Sequence, residues 1–375
     1  MVRVWIFMFL VAVAAMLVAV RLVYTETGRF PDRSGTPVMA STAMELVAEL
    51  PHPPGNIAVR NDREFFFTFH PLGDASVSVA HWSAGSYQPF PSPDWQPGGA
   101  QEGAFREVLS LRISGQNLWL LDNGRHGLSS VRLLAFDMTS GQLVHSYRFP
   151  RDVFPLGSFA NDFRISRDGR YFFITDASLL ARTPALVVYD RQNGKSRRLL
   201  QDHPSVLPGP FEPVVQGQEM TLFGLLTVNP GVDGIALDAR DEWLYYAAVS
   251  ADQLYRVRTA DLLNADLPAA SLAHRVEALG EKTMTDGMAV DRHGNVYLSD
   301  IEHSAIVRRG PEGELQTLLR SVDIRWPDGF SLYQDQLYFT CSALHQVMGL
   351  TDTSDGDHAP FQIYRVRLNN AEAAL

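Results

Sequence analysis

The sequence predicts an all-β chain, a six-bladed β-propeller preceded by an N-terminal hydrophobic helix. Three observations predict it. A strand–turn–strand pattern recurs six times, further apolar strands lie between the copies, and helical periodicity is nearly absent. The copies are GNIAVRNDREFFFTF (55–69), EVLSLRISGQNLWLLDN (107–123), NDFRISRDGRYFFITDA (161–177), DGIALDARDEWLYYAA (233–248), DGMAVDRHGNVYLSD (286–300) and DGFSLYQDQLYFTC (328–341). Each reads as an apolar strand, a polar turn and an aromatic-rich strand, which is the signature of a hairpin. Their starts are 52, 54, 72, 53 and 42 residues apart, which leaves room for two more strands per copy. VRLLAFD (131–137), ALVVYD (185–190), QLYRVR (253–258), AIVRR (305–309) and QIYRVRL (362–368) supply the third strands. Runs such as LVHSYRF (143–149) and LQTLL (315–319) supply the fourth. Four strands in each of six units make a propeller. The longest interval holds a loop-rich insertion, 203–230. Strands from both ends of the soluble chain are expected to close the last blade.

The first 24 residues read as a signal peptide or membrane anchor. Residues 4–20 carry no charge and follow Arg3, and Leu22, Val23 and Tyr24 extend the apolar run past Arg21. Such a run sits at the lower limit of a bilayer span. Residues 25–50 read as a tether ending in a short helical stretch at 43–50, and residues 51–375 as the propeller. The propeller is therefore expected outside the cytoplasm, secreted, periplasmic or anchored through the N-terminal segment. The 46% hydrophobic and 20% charged content is that of an ordinary globular chain. A net charge of -10 without strong basic clusters excludes a phosphate-backbone partner, so no nucleic acid is expected. The run Lys195 to Arg198 reads as a solvated hairpin. The single cysteine, Cys341, excludes an internal disulfide and a thiolate zinc site, and its apolar neighbours predict an inert buried thiol. There is no G-x-S-x-G elbow and no Walker loop.

The innermost strand of each blade lines the central channel, so residues at one repeat position form a ring. The first position holds Gly55, Glu107, Asn161, Asp233, Asp286 and Asp328. The last position of the hairpins holds Asp122, Asp176 and Asp300, a second acidic ring expected near the first. Crowded carboxylates need a cation, shared protons or N–H donors. Hard oxygen donors favour calcium or magnesium over zinc. The alternative for these acids is that they bond backbone amides of neighbouring loops. Trp326, Phe159 and Phe330 stand beside the first ring, where they supply stacking surface or pack between blades.

The runs NIAVRNDREFFFTFHP, LWLLDNG, SFANDFRISRDGRYFFITDAS, VDGIALDARDEWLYYAAVSADQLYRV, TDGMAVDRHGNVYLSDIEHSAIVRR and WPDGF resemble the major royal jelly protein / yellow family, in order, from about Pro54 to Leu368. The pattern is nearest to its bacterial branch, related to dopachrome tautomerase. That resemblance implies an exported six-bladed propeller that converts dopachrome-like molecules or binds small amines in its central cavity. A more distant likeness runs to the regucalcin / gluconolactonase family of metal-dependent lactonases. It implies a divalent cation, calcium first, on Asn161, Asp233 and Asp286. That family's glutamate belongs to the first blade, which here begins Gly55-Asn56, and Glu107 lies one blade on.

Two classes of function follow. As an enzyme, the protein is a lactonase- or esterase-like hydrolase or a tautomerase, with Asp300, Glu107 and His303 as candidate acid–base groups. His303 reads equally as a loop histidine. As a binding protein, it holds a small aromatic amine among Asp328, Trp326, Phe159, Asp122 and Asp176. A small molecule is the expected partner in both, and no feature marks a protein-binding surface.

Overall fold

Six four-stranded antiparallel sheets are arranged as blades; in five the strands follow in chain order from the axis outward, and in the sixth the outermost strand precedes the other three in the chain. The computed structural model describes residues 28–222, 226–348 and 358–368, with Glu26 and isolated positions between 5 and 18. The first strands of blades 1 to 6 are Pro54–Asn61, Val108–Ser114, Ala160–Ile165, Val232–Leu237, Met288–Val290 and Pro327–Tyr333. Each meets the first strand of the next blade, and the sixth meets the first, so the ring closes. The sequence periods therefore correspond to blades one for one.

Met44–Leu50 is the outer strand of blade 6, antiparallel to Phe361–Arg367, with Leu50 opposite Phe361. This corrects the helix expected at 43–50. MELVAEL has good helix formers, but pairing to an open sheet edge outweighs so weak a preference. It also closes the ring with strands from both ends of the soluble chain. The tether expected at 25–50 is laid onto the propeller. Glu26 N–H donates to Thr227 Oγ1 at 3.0 Å, and Arg33 pairs with Glu281 at 2.9 Å. The N–H groups of Val38 and Met39 bond the carbonyls of Thr317 and Leu318. Most of the apolar run at 4–20 lies outside the described residues. Among the described residues no helix is long and apolar enough to cross a membrane.

The core lies between blades. Phe66, Phe90, Leu118, Leu120 and Phe136 fill the space between blades 1 and 2, and Trp119, Phe163, Phe172 and Tyr189 that between blades 2 and 3. Cys341 is fully buried, which pushes its thiol up to about 12 and leaves it inert. Arg198, expected on a solvated hairpin, is instead a nearly buried partner of Asp176.

The repeated Asp-Gly has a packing cause beyond turn chemistry. A Cβ on Gly287 would lie 2.0 Å from Asp328 O and 2.8 Å from the Phe330 ring. Gly234 and Gly329 face the backbone of the following blade in the same way, at 2.9 and 2.7 Å. Glycine is required because adjacent first strands approach too closely for a side chain. Gly287→Ala is expected to lower stability by about 1–3 kcal/mol through overpacking. A urea unfolding curve reads this, and a change below the measurement error would refute it.

Candidate functional site

A bulge near the start of the first strands builds the site. In blades 1, 2, 3, 4 and 6 the register with the second strand slips there, as between Ala160 and Phe163 or Pro327 and Phe330. A bulge breaks strict alternation, so two consecutive residues can face the axis. In four blades a hydroxyl on the second strand secures the irregular backbone. Thr68 accepts from Asn56 N–H, Thr175 from Asp162 N–H, Ser299 from Asp286 and Gly287 N–H, and Thr340 from Gly329 N–H. Three of these hydroxyls also donate to a carbonyl of the neighbouring blade, at Leu109, Asp233 and Gly55. The device locks each blade to the next at the height of the acids.

The result is a cavity of about 330 Å³ on the axis, lined by the whole first ring. Glu107, Asn161, Asp233, Asp286 and Asp328 all reach it, together with Asn56 and Asp162. Its walls and mouth are apolar, from Phe159, Trp326, Phe330, Leu179, Leu344 and Met348. Trp326 Nε1–H donates to Asp286 Oδ2 at 2.6 Å, and Asn161 Nδ2 donates to Asp233 Oδ1. Glu107 Oε2 accepts from Asn123 Nδ2 at 2.7 Å. His126 stacks on Phe159 at 4.8 Å, and its Nδ1 is buried without a hydrogen-bond partner among the described residues.

Two arginines close the channel below the acids. Arg112 Nη2 lies 2.7 Å from each oxygen of Asp162, and its Nη1 donates to Asn56 Oδ1. Arg164 Nη1 donates to Asp162 Oδ2 at 3.0 Å, and its Nη2 crosses to blade 5 to bond Met288 O at 2.8 Å. Burial raises the Asp162 carboxyl and lowers the Arg112 guanidinium, so for both groups desolvation outweighs their mutual attraction.

Burial, followed by the Asp162 charge, pushes the Asp286 carboxyl up to about 6 against the indole bond from Trp326. Asp233 is raised well above the ordinary carboxylate range by burial and then by Asp286. Asp328 is raised by burial and then by Asp286 and Asp233. These acids repel one another, and a proton or a ligand cation relieves them.

The second ring is elsewhere. Asp122 accepts the N–H groups of Arg106, Glu107 and Gly124 and pairs with Arg132. Asp176 accepts from Phe159 and Ser178 N–H and pairs with Arg198 at 2.7 Å. Asp300 bonds His303 Nδ1 at 2.9 Å, and His303 Nε2 lies 3.4 Å from Asp32 on the N-terminal segment. None of Asp122, Asp176, Asp300 and His303 lines the cavity. They hold loops, as the amide-bonding alternative expects. Asn161, Asp233 and Asp286, expected to share a divalent cation, do line it. Yet Asn161 turns its amide nitrogen to Asp233, and Asp286 is engaged by Trp326. No three His, Cys, Asp or Glu side chains converge among the described residues. Calcium takes six to eight oxygens, more than Asn161, Asp233 and Asp286 offer as they are engaged here.

Sequence reasoning missed Asp162, Arg112, Arg164 and His126. The in-register hydroxyl in FFFTF, FFITD and YFTC marked the bulge opposite and could have revealed that both Asn161 and Asp162 face the axis.

A model of the major royal jelly protein family matches residues 113–373. Major royal jelly protein 7 of Apis mellifera is 24% identical over 245 residues, 62% of this chain and 52% of that protein. Major royal jelly protein 1 of Apis mellifera is 22% identical over 251 residues, 62% of this chain and 56% of that protein. The chain thus spans about half the length of these curated relatives. Among solved structures, a luciferin-regenerating enzyme superposes with TM-score 0.55 at 12% identity, covering 86% of this chain and 94% of that one. A gluconolactonase of Xanthomonas campestris gives 0.54 at 12% identity, over 92% and 99%. A calcium-binding regucalcin of Agrobacterium tumefaciens gives 0.51 at 15% identity, over 92% and 94%. At such identities the likeness is one of fold.

Proposed function

The chain belongs to the major royal jelly protein family, and from that premise we propose that its axial pocket receives a small aromatic molecule carrying a protonated amine. The observation that carries this is the charge balance of the cavity. Asp162, Asp233, Asp286, Asp328 and Glu107 reach it, against two guanidiniums beneath, Arg112 and Arg164. The unmatched carboxyls sit at the end of an apolar, aromatic-walled space. An ammonium group there balances one carboxylate of the set Asp233, Asp286 and Asp328, whose raised carboxyls share protons for the rest, while the rings of Trp326, Phe159 and Phe330 cover its frame.

A second reading rests on Asp286. A carboxyl at about 6 is matched to take and return a proton near neutral pH, as in a tautomerase. The pocket then acts on an activated C–H of the bound molecule, with no metal step. For location, we propose that residues 1–24 carry the propeller out of the cytoplasm and that the protein is exported or membrane-anchored. The uncharged run at 4–20 and the lone cysteine support this.

Calorimetric titration of tryptamine against tryptophol, its neutral alcohol counterpart, tests the amine reading. Tryptamine is expected to bind about 10–100-fold tighter, the worth of a charge-assisted hydrogen bond. Equal affinities would overturn it. So would elemental analysis that finds one divalent ion per chain, lost in Asp286→Ala.

A further inference from the structure

The two faces of the propeller differ. Among the described residues, every large apolar side chain exposed on a loop of the propeller lies on the face where the cavity opens. These are Leu72, Leu128, Leu156, Leu180 and Val322, between 47% and 80% exposed. Leu72 and Leu180 border the cavity. Leu156 precedes Gly157, whose N–H bonds the carbonyl of the cavity residue His126. Val322 O accepts from Gln216 Nε2 of the insertion, whose Pro213 and Val228 also line the cavity. Arg125 and Arg151 flank Leu128 and Leu156, and Arg151 holds the carbonyls of Gly127 and Leu128. The opposite face carries the hairpin turns, such as Asn61-Asp62-Arg63, Gln192-Asn193-Gly194 and Arg292-His293-Gly294, which are polar.

The route of the chain selects what covers the apolar face. Glu26 is bonded to Thr227, beside the cavity residue Val228, and its carboxylate lies 3.8 Å from Arg182 on the loop of Leu180. The chain therefore enters the propeller at the cavity mouth. Five residues lie between Val20, the end of the uncharged run, and Glu26, and the six steps of chain from one to the other reach at most about 20 Å. If residues 4–20 are in a bilayer, the mouth cannot be far from its surface.

We propose that this face rests on the lipid bilayer, with the five apolar side chains in the headgroup region and the cavity opening toward the lipid. The proposal rests on the reading of residues 4–20 as a membrane-inserted segment. The leucines and the valine supply apolar area, and Arg125 reaches up to lipid phosphates, the pattern of an interfacial surface. An aromatic amine is itself amphipathic and concentrates in that layer, so the pocket would take its ligand from the membrane interface.

The test uses the full chain reconstituted in vesicles of phosphatidylcholine and phosphatidylglycerol. Single cysteines carry an environment-sensitive fluorophore, and Cys341 gives no background because it is fully buried. Labels at Leu156→Cys and Val322→Cys are expected to lose at least about half their emission to lipids with brominated chains, since interfacial groups sit 5–10 Å deep. A label at Asn193→Cys on the opposite face is expected to keep its emission. Equal quenching at all three sites, quenching of Asn193→Cys alone, no quenching, or a chain that fails to associate with the vesicles would each overturn the proposal. Tryptamine affinity of the same proteins in detergent, read separately, distinguishes failure here from failure of the amine reading.

Discussion

Asp286→Asn is expected to make the ligand-free protein more stable at pH 7 and a poorer binder of amines. Its folded-state carboxyl is raised from the ordinary 3.8 to about 6 by burial. The folded state therefore holds this proton more tightly than the unfolded chain does. The contribution is fully present below about 3.8 and is lost as pH rises through about 6. Asp233 and Asp328, also raised by burial, lose stability in the same direction as pH rises. Asparagine never ionises, so the share due to Asp286 disappears, while its amide oxygen still accepts from Trp326. Melting curves should show the wild type falling between pH 4 and 7 and the variant falling less, ending roughly 2–4 °C higher at pH 7. Tryptamine affinity should drop about 10–100-fold, and its rise with pH through about 6 should flatten. A variant that is less stable at pH 7, or binds tryptamine as well as the wild type, contradicts the assignment of Asp286 as the titrating group of the pocket.

Asp176→Ala should be far more damaging to the fold. The Asp176 side chain is fully buried, and it alone satisfies Phe159 and Ser178 N–H and meets Arg198, whose side chain is only 8% exposed. Removing it leaves a buried guanidinium and two amides without the carboxylate they are built around. The expected loss is about 3–5 kcal/mol in a urea melt at pH 7, the cost of breaking a buried pair from one side. Asp176→Asn, which keeps an acceptor for the amides, should fall between. Asp168→Ala on the opposite face removes only a turn-stabilising carboxylate bonded to Ser166 and Arg170, and should cost about 1 kcal/mol or less. An Asp176→Ala protein within about 1 kcal/mol of wild type would show that neighbouring groups take over these bonds.

How much of this was legible depended on which physical quantity the sequence records. The period of the hairpins records blade number, because each blade must bury both faces against its neighbours. The first-position acids record the axis, because the innermost strand has nowhere else to point them. The last-position acids were assigned to the channel because a hairpin returns to the height it left. It returns one strand farther out, however, about 4.8 Å from its partner, and Asp122, Asp176 and Asp300 spend their oxygens on loop amides and basic partners at that radius. Asp162 was missed for a related reason. Strict alternation turns it away from the axis, and only the bulge between Ala160 and Phe163 brings it round beside Asn161. Residues 43–50 read as helix from sequence because a closing strand borrows its partner from the far end of the chain, and local preference holds no record of that.

Arg112 and Arg164 change what kind of space the axis is. An open propeller channel is a corridor, and molecules can pass from one face to the other. Here the two guanidiniums, spanning from Asn56 to Met288 through Asp162, turn the corridor into a cul-de-sac. Whatever enters must leave by the door it came through. Exchange then requires eviction: a second molecule cannot push the first out from behind, and departure has to precede arrival. For the ligand we propose, occupancy would be governed by traffic through the rim formed by Phe159, Trp326, Leu344 and Met348, and the loops that frame the rim would set residence time as much as the acids beneath would set affinity.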